Sequence, residues 1–489
     1  MPKFSYPPMK RCFYILFLLS MSLAVRAQTA YKDFEVDSAA RPIGGIALLE
    51  KFIDVNLRMP YPAEVSRIKG IVILSGVVEP NGTVSEVKTL RSLRPDCDRE
   101  AMRVLSLFNA WKPALKGGQP VRQQFTYPVR FAPTGLDYKQ DRVSRYFDDK
   151  ALLITDESKA SYLLDTPVDT LGYPNGDPII YRKSGKNWKE FDRYQFKKAP
   201  FTYHNDHDPA LPDSVEAYRL QTFDKKGIVQ ETQYSFFADG SLLSVEPHSD
   251  GLGSRSSLYY YRNGTVKRLE ESIDEKKTQE WLWYPNGQLR QIALRDLSAE
   301  TSIHFQLISQ FDSTGHPTVI KGTGQATYAS RSNGKLLLES GALKNSLKDG
   351  EWIGRFRNDQ LAYRETYENG KFLTGKLYNE KGDVMTYDEP EKQPEFKGGM
   401  SALGRFLGST IRYPVEASRA RVQGRVVIGF VIDTEGNVED VKVMKGIGYG
   451  ADEEAVRVVK ATSGKWTPGI QRGRKVKVKY TMPINFAYQ

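Results

Sequence analysis

Cysteine and histidine are scarce, at 2 and 5 residues in a chain of 489. Cys12 falls in the N-terminal leader, so Cys97 stands alone after it, which excludes an intramolecular disulfide and leaves no zinc ligand set. A lone cysteine is read as a small buried residue rather than a nucleophile. His204 and His207 sit three apart without a third ligand, which makes 204–207 a polar loop. No Ser/His/Asp or Cys/His arrangement is present, and no phosphate-cradling glycine loop follows a strand. Asp452, Glu453 and Glu454 are adjacent carboxylates, but they open a helix, where capping and dipole duty outweigh acid–base work. Gly446, Gly448 and Gly450 are read as a flexible turn. The chain is therefore expected to be no enzyme and to hold no metal or cofactor.

Long apolar runs are missing too. The longest, 12–25, is within signal-peptide length and short of the ~20 residues a spanning helix needs. Lys3, Lys10 and Arg11 precede it and Val25-Arg26-Ala27 follows, so 1–27 reads as a signal peptide with Gln28 as the mature start. No lipobox cysteine follows the run. The expected location is the periplasm; the alternative is an uncleaved anchor in the inner membrane, facing the periplasm. The formal charge of +11 includes four leader cations and favours anionic surfaces such as headgroups or envelope polymers. The basic residues are spread out and no nucleic-acid motif occurs.

What is plentiful is Tyr (27) and Gly (40), the composition of β-hairpins. At about 150 residues per domain the length allows about three domains. The two ends of the chain repeat each other: Gly82, Val87, Asp98, Glu100 and Ala101 recur as Gly436, Val441, Asp452, Glu454 and Ala455, and Trp111, Pro113 and Phe131 as Trp466, Pro468 and Phe486. Each copy, 41–131 and 394–489, has the rhythm of a helix, a short helix after Tyr-Pro, two strands about a Gly turn, a helix and a last strand. In the first copy the helices are placed at 46–57 and 98–109, with Asp96 or Asp98 as cap. In the second, Val476, Val478, Tyr480, Met482, Ile484 and Phe486 alternate with Lys475, Lys477 and Lys479.

Residues 132–165 read as a linker with a short charged helical piece. From 166 to 388 an aromatic, a polar Gly turn and a strand recur, beginning at Tyr173, Phe223, Phe237, Tyr261, Tyr284, Phe311, Tyr367 and Tyr378. Asn-Gly and Asp-Gly supply the positive φ of a tight hairpin turn. A lone hairpin is marginal, so the units are expected to stack. The region resembles the MORN-like repeats of bacterial envelope proteins, most closely at 348–356, KDGEWIGRF.

The series PEFKGG, RYPVEA, QGRVVIGFVIDTEGNVEDV, DEEAVRVV, KWTPG and KVKYTMPINF in 394–489 resembles the TonB C-terminal domain of Bacteroidetes-type envelope proteins. Residues 41–131 resemble a degenerate copy that keeps YP, the NG turn, D-x-E-A, WKP and P-V-x-F. The fold implied is α+β: two TonB C-terminal-like domains, antiparallel sheet with helices, flanking a mostly antiparallel β repeat region. The function implied is docking to peptides of outer-membrane TonB-dependent receptors, or to other envelope proteins, by strand addition beside the last strand. Lys475, Val476, Lys477, Val478, Lys479 and Tyr480, with Ser418, form the candidate partner-binding set. Inner-membrane motor proteins are partners only for an anchored chain; a homodimer is left open. Three departures weaken energy transduction: Ser418 (Ser66 in the first copy) stands where transducing members carry Gln, 12–25 has no His, and no Pro-rich spacer is present. The alternative is a structural scaffold whose repeats contact polymer or lipid.

Overall fold

A computed structural model describes residues 29–487 except 206–210, 213, 248–255, 275, 297–303, 333–334 and 380–381. The expected leader and His207 lie outside the described residues. No helix among them is long and apolar enough to cross a membrane.

The Gly turns of the middle region join strands of one antiparallel meander. Its 16 strands, from Gln195–His204 to Val384–Tyr387, pair in unbroken chain order. Gly240, Gly264 and Gly287 adopt φ of 85°, 85° and 84°, and their N–H groups donate to the carbonyls of Phe237, Tyr261 and Tyr284. In each turn an Asp or Asn side chain (Asp239, Asn263, Asn286) accepts the N–H two residues on, the usual Asx arrangement. Successive turns are also stitched together. The Tyr261 hydroxyl donates to the Trp283 carbonyl and that of Tyr284 to the Phe311 carbonyl, at 2.8 and 3.0 Å.

Two stretches depart from the sequence reading. At Tyr173 the turn lies earlier, at 169–172, because Asp169 accepts the N–H groups of Leu171 and Tyr173 and Gly172 takes φ of 86°. Strands run through 132–165 where a linker is expected: Arg142–Phe147 and Tyr162–Pro167 pair within a 6-stranded sheet that runs on to Asn187–Arg193. Their inward positions include Ser144 and Thr166, so the apolar alternation that marks a half-buried strand is diluted. Helical structure in 132–165 is one 3₁₀ turn, Glu157–Lys159.

The N-terminal copy contains α1 (Ile46–Asn56), α2 (Tyr61–Val65), β1 (Gly70–Val78), β2 (Val84–Arg91), α3 (Pro95–Leu107) and β3 (Gln123–Phe131). The C-terminal copy contains α4 (Gly399–Thr410), α5 (Val415–Arg419), β4 (Gly424–Ile432), β5 (Val438–Lys445), α6 (Ala451–Lys460) and β6 (Val478–Phe486). Sheet order is β2-β1-β3 in one and β5-β4-β6 in the other. Helix α3 starts three residues before its expected position, since Pro95 is already suited to a first turn. Cys97 is fully buried in α3, and burial pushes its thiol up to about 11.

The two copies pack differently. Leu49, Phe52 and Val104 of the first share one core with Leu269, Trp283 and Leu289 of the long sheet. The Asn56 side chain accepts the Val266 N–H (2.7 Å), and Lys51 pairs with Glu271 (2.9 Å). The second copy closes its own core around Phe396, Ile428, Trp466 and Ile484.

Candidate functional site

The D-x-E-A motif explains how each copy is braced. Asp98 Oδ1 accepts the Leu93 N–H and Asp452 Oδ1 the Ile447 N–H, so each ties the preceding loop to its helix. Glu100 accepts the Arg58 N–H and both Nε and Nη2 of Arg103; Glu454 accepts the Arg412 N–H and the same two groups of Arg457. The arginines reach on to the Asn56 and Thr410 carbonyls at the ends of α1 and α4. The Arg457 guanidinium beside it holds the Glu454 carboxyl below its ordinary 4.5. Asp452 and Glu454 of the acidic triplet thus brace a loop–helix junction, while Glu453 is exposed.

This frame presents β6. Its register with β4 runs from Val478 opposite Ile432 to Phe486 opposite Gly424. Met482, Ile484 and Phe486 are buried, Val478 and Tyr480 half-buried, while Lys477, Lys479, Thr481 and Asn485 are exposed. Tyr480 packs against Trp466 (5.2 Å) and Phe430 (5.6 Å). Among the described residues no strand covers the outer edge of β6.

The seven candidate residues divide between places. Val478, Lys479 and Tyr480 lie on β6 itself. Lys477 precedes it, and its ammonium bonds Glu439 of β5 at 2.7 Å, so its charge is partly answered within the domain. Lys475 and Val476 belong to the strand Arg474–Val476, paired with Gly469–Gln471 in a small hairpin. Ser418 lies in α5, six residues before Gly424, which pairs with the far end of β6. At about 3.3 Å per residue, the nine-residue strand puts roughly 26 Å between its ends, so Ser418 belongs to the Phe486 end and 475–480 to the other.

The same edge in the first copy is not open. At the start of β3, Tyr31 makes a parallel bridge with Gln123: its N–H donates to the Arg122 carbonyl (2.9 Å) and its carbonyl accepts the Gln124 N–H (2.8 Å). Ala40 N–H donates to the Gln123 side chain, which itself donates to Asp33. The segment 31–40 therefore lies over the beginning of this edge.

Sequence reasoning missed Arg472 at the tip of the 469–476 hairpin. Its φ is 49°. Nε bonds Glu365 at 2.9 Å and Nη2 bonds Glu339 at 3.0 Å, and the guanidinium lies 3.5 Å from the centre of the Tyr363 ring. Glu365 also accepts from the hydroxyls of Tyr387 (2.8 Å) and Tyr367 (2.9 Å). Lys348, 3.9 Å from Glu365, is pushed below its ordinary value by burial. The second copy is thus clamped to the long sheet beside the candidate edge. In sequence Arg472 is one more polar residue in a Gly turn, and its partners lie over a hundred positions away.

Two segments, 56–133 and 409–488, match the family model described as "Gram-negative bacterial TonB protein C-terminal". Among solved structures, the solution structure of the Helicobacter pylori TonB C-terminal domain is similar at 24% identity; the match covers 18% of this chain and 91% of that one, with a TM-score of 0.15. No curated protein matches the chain.

Proposed function

We propose that this chain is a TonB-like protein of the bacterial envelope, acting in TonB-dependent transport, whose C-terminal copy docks an extended peptide of an outer-membrane receptor along the outer edge of β6. The observation that carries this reading is the contrast between the copies. The β6 edge is uncovered among the described residues, whereas the β3 edge begins under Tyr31. An added strand takes its affinity from main-chain hydrogen bonds and its selectivity from flanking side chains. Lys475 and Lys479 are exposed and favour an acidic peptide, and the match of 409–488 to the family model supports the partner class.

The test is titration of the full chain with a short acidic peptide from the N-terminal segment of an outer-membrane receptor, read by calorimetry and amide hydrogen exchange. Binding should protect 478–486, weaken with salt, and weaken about tenfold, or about 1.4 kcal/mol, in Lys479→Glu. Absence of added protection in 478–486 at saturating peptide sinks the reading.

A further inference from the structure

Beside the core that joins the first copy to the long sheet lies a cleft lined by both, and nothing in the docking reading uses it. Its volume is about 730 Å³, within the roughly 300–1,000 Å³ of small-molecule sites. A second cavity of about 630 Å³ shares Arg58, Arg103 and Tyr173 with it and lengthens the cleft.

Tyrosine dominates the lining: Tyr61, Tyr138, Tyr173, Tyr234 and Tyr260 all face this cavity. They come from the first copy, the 6-stranded sheet region and the long sheet, so only the assembled chain brings them together. Tyr61 meets Tyr138 edge to face at 5.7 Å, and Tyr173 meets Tyr234 likewise at 5.1 Å.

Two buried polar atoms in this lining have no partner. Glu64, with 4% of its surface exposed, spends Oε1 on the Thr134 backbone N–H (2.6 Å) and hydroxyl (2.8 Å), while Oε2 is unbonded. Arg58 lies over the Tyr260 ring, 4.7 Å from its centre, and its Nε–H is also unbonded. A buried polar group left without a hydrogen bond costs about 1–3 kcal/mol, and these two, an acceptor and a donor, belong to side chains that line the cleft.

Charge narrows the class of ligand. Arg58, Arg99 and Arg103 are balanced by Glu64, Asp96 and Glu100. Arg103 is bonded to Glu100 at 2.7 Å. The lining of the first cavity therefore carries no net formal charge and does not favour an ion of either sign. A neutral ligand with broad apolar faces and a rim of hydroxyls suits this lining, stacking on the rings while its hydroxyls donate to the Glu64 carboxylate and accept from the Arg58 guanidinium. We infer that this cleft is a carbohydrate site, taking one or two neutral pyranose rings of an envelope glycan.

Calorimetric titration of the full chain with chitobiose and with cellobiose tests this and separates an N-acetylated source from a plain glucan. Glu64→Gln is the informative variant, because its side-chain oxygen can still accept from Thr134 while an N–H₂ donor replaces the free acceptor. At least one disaccharide should bind, and Glu64→Gln should weaken it at least tenfold with an unchanged thermal midpoint. Arg58→Met, which keeps an apolar stem over Tyr260, should weaken it as well. Failure of both disaccharides to bind at about 10 mM overturns the proposal. So does binding indifferent to both substitutions, or binding of spermidine in place of either sugar.

Discussion

Glu454 shows how much one side chain carries in this fold. It accepts the Arg412 N–H at 2.6 Å and is forked by Arg457, which also holds the end of α4. Its carboxyl titrates below the ordinary 4.5, chiefly through the Arg457 hydrogen bond. A carboxylate with a depressed folded-state value stabilises fully above its unfolded value and loses that contribution as pH falls. Glu454→Gln should therefore cost about 1–2 kcal/mol near neutral pH, and the gap from the natural chain should close as pH drops below the ordinary value of 4.5. Urea unfolding of both chains across that range reads the difference; a pH-independent gap would mean that the charge is not what matters. The motif was legible in sequence because Asp452 and Glu454 recur as Asp98 and Glu100. The arginine partners and the loop amides they organise were not, since helix spacing says nothing about which loop lies across the helix start.

The repeated turn is the element that builds the long sheet, and its glycines are not equivalent. Gly240 and Gly287 share φ near 85°. A Cβ at Gly240 meets nothing within 4 Å, whereas one at Gly287 comes within 3.0 Å of the Phe52 ring and 3.2 Å of the Leu107 carbonyl. Gly240→Ala should cost about 1–2 kcal/mol, the penalty of a left-handed alanine. Gly287→Ala adds overpacking of about 1–3 kcal/mol and should shift the unfolding midpoint clearly further; equal shifts would argue that the first copy does not bear on this turn. Asn-Gly and Asp-Gly between aromatic strands make such hairpins readable one at a time. That they stack follows from the marginal stability of a lone hairpin, but the extent of the meander, 16 strands from Gln195–His204 to Val384–Tyr387, is not readable. Nor is the pairing of Arg142–Phe147 with Tyr162–Pro167, where Ser144 and Thr166 take inward positions that a pattern search gives to apolar side chains.

Across the whole molecule the two copies have parted in role through what they rest on. The first is built into the core of the long sheet, and its β3 edge begins under Tyr31. The second keeps a separate core, and Arg472 clamps it to the sheet from the tip of one hairpin. Glu365 is 1% exposed at its side chain, so removing the guanidinium leaves a buried carboxylate short of its closest cation, a loss of about 3–5 kcal/mol for a broken buried pair. Arg472→Met retains a long apolar stem and the same backbone demand, so the loss reports the charge. Because the second copy closes its own core, that loss should appear as release of the domain rather than its unfolding. Limited proteolysis should cut faster between 388 and 394, while the 394–489 product keeps its thermal midpoint. An Arg472→Met chain that resists cleavage there as the natural chain does would show that the clamp is not what fixes the second copy in place.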